Sequence, residues 1–137
     1  MTAFILNPQL EKDTHQLLSC GDFYVLLHRN KSLPWFIVVP KSPVIEWFEL
    51  PQDLQLKLAN LTRKLSLFLQ QKYSCDKVNT ASIGNVVSQL HIHVIGRFHD
   101  DSLWPDVVWG KPLPEAVYTA QDVLDLAQEL RQALEVL

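Results

Sequence analysis

Cysteine is scarce in this chain: Cys20 and Cys75 are the two present among 137 residues, far apart and in no C-x-x-C pattern. That argues against a disulfide scaffold and against a zinc ribbon, and leaves two free thiols. A basic excess is also missing. The formal charge of -3 argues against a protein whose main work is wrapping the phosphates of DNA or RNA, because such proteins carry surplus lysine and arginine. Long hydrophobic runs are lacking too, and Met1 to Leu10 shows no basic stretch followed by an apolar run. The expectation is a cytoplasmic protein with neither a membrane nor a nucleic-acid polymer as partner. Repeats, Gly/Ser linkers and low-complexity blocks are absent, and the eight prolines are scattered at positions that read as turns and element ends.

What remains is an ordinary globular composition, 47% hydrophobic and 20% charged, long enough to bury a core as one domain over residues 1–137. Phe23 to His28 and Trp35 to Val39 are short runs rich in aromatic and β-branched residues, separated by the polar stretch Arg29 to Ser32, and predict adjacent strands. From Pro51, the residues Leu54, Leu58, Leu61, Leu65, Phe68 and Leu69 recur at three- and four-residue spacing, predicting an amphipathic helix that ends near Tyr73. Lys77 to Ile83 and Leu90 to Arg97 alternate like half-buried strands, with a tight connection expected at Gly84 and Asn85. Thr119 and Asp122 form a weak capping signal ahead of the stripe Val123, Leu126, Leu130, Leu134 and Leu137, so the tail, residues 98–137, closes with a helix. The fold class is α+β, an antiparallel sheet with a long helix and a C-terminal helix packed on one face, the other face being free for chemistry or a partner.

The chemistry concentrates in residues 77–97, at Gln89-Leu90-His91-Ile92-His93-Val94-Ile95. On a strand, Leu90, Ile92 and Val94 point to the core while Gln89, His91 and His93 share the opposite face. Side chains two apart on one strand face lie roughly 7 Å from each other, so one phosphate ester can touch all three. Neutral imidazole is a good nucleophile toward phosphorus, and a second imidazole nearby can serve the leaving group. An arbitrary H-x-H is as often a pair of solvated surface residues, and the third polar position at Gln89 favours a site. H-x-H also begins several zinc and iron sites, but such a site needs a third ligand. His15, His28, His99 and Asp100 are not placed near the pair by sequence alone, and neither a metal nor another cofactor is expected.

The segment resembles the signature of the histidine triad family, His-φ-His-φ-His-φ-φ with φ apolar. Asn79 and Gly84-Asn85-Val86-Val87 resemble that family's Asn and Gly-Gln-Ser/Thr-Val approach, and Phe36-Ile37-Val38-Val39-Pro40-Lys41 resembles its strand ending in Pro-Lys. The tryptophan-containing tail, with Trp104 and Trp109, is similar to a bacterial branch, although those side chains equally suit covering the core or a dimer seam. The resemblance implies a homodimer and a site for a purine, a ribose and an α-phosphate. His91 matches the nucleophile, which would form a phosphohistidine-type nucleotidyl intermediate, and His93 matches the histidine that contacts phosphate and leaving-group oxygens. Asn79, Gly84 and Asn85 match positions that hold phosphate and ribose, and Asn30 matches the ribose-binding acid if a short gap is allowed. Three residues depart from the pattern: Gln89 replaces the first histidine, Val86 replaces the hydroxyl near the phosphate, and Asn30 lacks the negative charge. The implied activity is a hydrolase or transferase acting on the α-phosphate of a nucleoside phosphoanhydride or phosphoramidate. The alternative, motivated by Gln89 and Val86, is a nucleotide-binding module with little catalysis.

Overall fold

A computed structural model describes residues 3–136. In chain order it contains α1 (Pro8–Asp13), β1 (Thr14–Cys20), β2 (Phe23–His28), β3 (Trp35–Pro40), a 3-10 turn (Trp47–Glu49), α2 (Gln52–Tyr73), β4 (Lys77–Ala81), β5 (Ile92–Arg97) and α3 (Ala120–Val136). The five strands form one sheet in the order β1-β2-β3-β5-β4, with every neighbouring pair antiparallel.

The leucine stripe of α2 seats Leu58, Leu61, Leu65, Phe68 and Leu69 in the main core. There they meet the alternate strand residues Val25, Leu27, Phe36, Val38, Ile92 and Val94. The helix stops where Ser74 turns left-handed, at φ 53°. The weak cap before α3 is a reciprocal one: Thr119 Oγ1 accepts from the Asp122 N–H at 3.0 Å, and Asp122 Oδ2 accepts from the Thr119 N–H at 2.9 Å. Leu126 and Leu130 of α3 are buried in the same core, while Leu137 of the expected stripe lies outside the described residues.

Two expectations are corrected, and two elements join those that the sequence predicts: α1 and β1 precede Phe23. Their signal is weak since β1 carries a bulge between Gln16 and Leu18 that breaks the alternation and buries both Leu17 and Leu18. The β4–β5 connection is not tight: pairing ends at Ala81↔His93, so residues 82–91 form a long loop, and β5 starts at Ile92 rather than Leu90. Gly84 takes φ +71°, which makes it a bend within that loop rather than a two-residue hairpin. Finally, the second sheet face is not free. Leu26, Trp35, Ile37, Val39 and Ile95 are buried there beneath Leu10 of α1 and Leu33 and Val108 from the connections. β3 and β5 are consequently buried along their whole length, and an opening in that second layer remains around the histidines.

Candidate active site

The opening is a cavity of about 550 Å³, within the range of roughly 300–1,000 Å³ common for small-molecule sites. Its walls are Gln9, Leu10 and Asp13 of α1, His28 of β2, Trp35 and Ile37 of β3, residues 83–87 of the loop, His91 and His93, and Trp109 and Gly110 of the tail. No lysine, arginine or hydroxyl side chain lines it among the described residues.

His91 and His93 are both buried, with ring centroids 5.0 Å apart and planes at 72°. His91 Nδ1 lies 2.7 Å from the Gln89 carbonyl. A carbonyl only accepts, so Nδ1 carries a hydrogen, and in the neutral ring the lone pair is on Nε2. At His93 the arrangement is inverted: the Trp35 indole N–H donates to Nδ1 at 3.0 Å, which places the ring hydrogen on Nε2. Burial, then the neighbouring His91 and His28, pull His93 down to a pKa of about 3, so the ring is neutral under ordinary conditions.

His28 is a third imidazole of this site. It stacks on Trp35 with centroids 4.1 Å apart and planes at 13°, and its Nδ1 accepts from the Asn30 N–H at 3.1 Å. Its pKa is lowered, by burial first, against the opposing pull of Asp13. The sequence reading left His28 unplaced and passed over Trp35, Asp13 and Gln9. The signal was present in the β2–β3 register, since Leu27↔Phe36 sets His28 beside Trp35 on the face that carries His93. Trp109, expected as a cover, is within the site, 5.4 Å from His93 between ring centroids.

The other expected residues divide. Gly84, Asn85 and Val86 reach the cavity. The Gln89 side chain is engaged elsewhere: Oε1 accepts from the Asn7 N–H at 2.8 Å and Nε2 donates to the Ile5 carbonyl at 2.9 Å, tying the N-terminal segment down beside His91. Asn30 is engaged too, donating to the Pro114 carbonyl at 3.0 Å and accepting from the Ser32 N–H at 2.9 Å. Asn79 accepts from Arg97 Nη1 at 3.0 Å and faces a separate hollow along β4 whose wall shares Trp109. No group of three or more histidine, cysteine or carboxylate side chains is assembled to hold a metal among the described residues.

An antiparallel five-stranded sheet with two imidazoles set in a cavity by β5, one aimed by a backbone carbonyl, is the arrangement that the histidine-bearing signature predicts. Comparison with known proteins agrees: a family model for the HIT domain matches residues 9–100. The chain is also similar to a crystal structure of a histidine triad protein from Marinobacter aquaeolei VT8, at 37% identity, 98% coverage of both chains and a TM-score of 0.89. It is similar as well to a histidine triad protein from Bradyrhizobium japonicum, at 32% identity, covering 96% of this chain and 98% of that one with a TM-score of 0.88. A third, from Sinorhizobium meliloti 1021, shares 30% identity over 95% of this chain and 96% of that one, with a TM-score of 0.88. No curated protein matches. The chain belongs to the HIT domain family.

Proposed function

We propose that this protein is a nucleotide hydrolase or transferase that works through a covalent nucleotidyl-histidine on His91. The observation that carries the reading is the 2.7 Å contact between His91 Nδ1 and the Gln89 carbonyl. It leaves Nε2 bare toward the cavity, and as Nε2 bonds to phosphorus the positive charge gathering on the ring is met by that carbonyl oxygen. The leaving group departs with the bonding electrons, as an anion from a P–O bond or, from a P–N bond, as an amine that takes up a proton as the bond breaks. Water or another acceptor then attacks phosphorus, the P–N bond to His91 breaks, the acceptor's proton passes to solvent, and neutral imidazole returns.

The His93 and His28 Nε2–H groups, with backbone N–H groups of Gly84 to Val86, hold the phosphoryl oxygens. The apolar slot between Leu10, Ile37 and the Trp35 ring suits a purine, and Asp13 rather than Asn30 is the carboxylate available to ribose hydroxyls. The exposed outer edge of β4 suits pairing with a second copy of the chain, and free Cys20 and Cys75 suit a reducing cytoplasm. Native mass spectrometry at micromolar concentration is expected to give a dimer.

The test is intact-protein mass spectrometry after acid-free quenching, with adenylyl and guanylyl anhydrides and phosphoramidates. Wild type is expected to gain one nucleotidyl mass that His91→Ala does not, and turnover of that variant is expected to fall by on the order of 10⁴ or more. Turnover unchanged in His91→Ala would sink the mechanism. A second reading, a binding module with little catalysis, is favoured by the lack, among the described residues, of any lysine, arginine or hydroxyl side chain along the cavity, and would show as tight nucleotide binding with neither adduct nor turnover.

A further inference from the structure

The Trp35 indole N–H occupies the one nitrogen of His93 through which that ring would take up a second proton. To become an imidazolium, His93 would have to place an N–H on Nδ1, directly against another N–H at 3.0 Å. Trp35 is not free to turn aside: it is 6% exposed, stacked on His28 and set edge-on to Trp109 at 6.3 Å.

We propose that Trp35 is a positioning residue that holds His93 as a neutral Nε2–H donor, so that the site cleaves α-phosphoryl bonds whose leaving group departs as a stable anion, and discriminates against P–N bonds to amines. The inference rests on the nucleotidyl-histidine reading above and narrows its substrate class to phosphoric or carboxylic mixed anhydrides of a nucleoside monophosphate. The chemistry follows from where protons are held. An anhydride leaving group takes the P–O electron pair and leaves as phosphate or carboxylate, for which a hydrogen bond from neutral His93 suffices. An amine cannot leave as its anion and must receive a proton as the P–N bond breaks.

The groups facing His93 supply no such proton. His91, at the end of the loop that leads into β5, is the nucleophile of that reading, and its own hydrogen is held by the Gln89 carbonyl. His28 on β2 presents an Nε2–H like that of His93, because its Nδ1 is also occupied. β3 contributes Ile37 and β4 contributes Ala81 beside it, and the tail contributes Trp109. Asp13 of α1 accepts from Gln9 Nε2 on both oxygens, at 2.9 Å each. Val86 stands in the loop without a hydroxyl.

Two measurements test this. In ring-nitrogen NMR of the wild-type protein, His93 is expected to show a single Nε2–H tautomer that does not titrate between about pH 5 and 8; in Trp35→Phe, with Nδ1 released, it is expected to show a mixture of Nδ1–H and Nε2–H tautomers. In kinetics, wild-type kcat/KM for an adenosine 5′-phosphoramidate of an alkylamine is expected to lie roughly 10²- to 10⁴-fold below that for an adenylyl phosphoanhydride, the usual worth of a general acid. In Trp35→Phe the gap is expected to narrow as pH falls. If Trp35→Phe does not fold, the two wild-type measurements decide alone. A wild-type His93 that titrates in that window, or comparable turnover of amine and anhydride substrates, would overturn the proposal. Failure of the underlying reading looks different: neither substrate marks His91 while the His93 resonances still report the locked tautomer, and the leaving-group half of the proposal then falls with that reading.

Discussion

Gln89 shows how a side chain at a signature position can serve a neighbour. Its amide bonds Ile5 and Asn7, and only its carbonyl reaches His91. Gln89→Leu is therefore expected to cost about 1–3 kcal/mol, two hydrogen bonds at 0.5–1.5 kcal/mol each, read by chemical denaturation, while any nucleotidyl transfer changes less than about tenfold because the carbonyl remains. The sequence carried His91 and His93 to the right face through strand parity alone. Parity says nothing about which side chains return from other strands, so His28, Trp35 and Asp13 were invisible until the register of β2 and β3 and the placement of α1 were known. Asn30 illustrates the converse. Its residue type suits a ribose contact, but its amide closes the β2–β3 connection against Pro114 and Ser32, a use that local turn geometry settles and motif spacing does not reveal.

Among the elements, periodicity made α2 and α3 legible because their apolar stripes continue over several turns, whereas α1, six residues long, is too short for such a stripe to register. The covering of the second face was hidden for a different reason: it depends on an irregular tail folded by side chains, not by a repeat. Asp101 organises that tail. It takes Arg97 in both Oδ atoms, at 2.9 and 3.0 Å, and accepts from the N–H groups of Phe98 and Leu103. Burial pushes Asp101 up, but the Arg97 hydrogen bond and these N–H groups outweigh it and hold the carboxyl down at about 2. Asp101→Ala strands a guanidinium that is 1% exposed and is expected to destabilise by about 3–5 kcal/mol, measured by urea unfolding. Gly96→Ala tests β5 itself. A Cβ there would stand 2.9 Å from Pro34 Cγ and 3.4 Å from Cys75 Cβ, and the overpacking is expected to cost about 1–3 kcal/mol in the same assay.

For the whole molecule, the buried imidazoles set the acid limb of stability. His93 has a folded pKa of about 3 against about 6.5 when unfolded, so the unfolded chain binds the extra proton first. Stability is unaffected above about pH 6.5 and falls below it, by up to about 1.4 kcal/mol per pH unit until the folded pKa is reached, with His28 acting in the same direction. Asp101 is the opposite chemical case: its ion pair holds fully above its unfolded value of 3.8 and is lost as pH falls toward 2. Unfolding free energies measured from pH 7 downward are expected to decline from about pH 6.5, and His93→Gln is expected to flatten the first part of that decline. Of the four tryptophans, Trp35 and Trp109 stand in the cavity wall and within 6 Å, between ring centroids, of His93. The protein thus carries its own optical probe. A purine stacking against those indoles is expected to quench their ultraviolet emission, so nucleotide affinities are measurable by titration without a label, and protons arriving at the buried imidazoles will register in the same light.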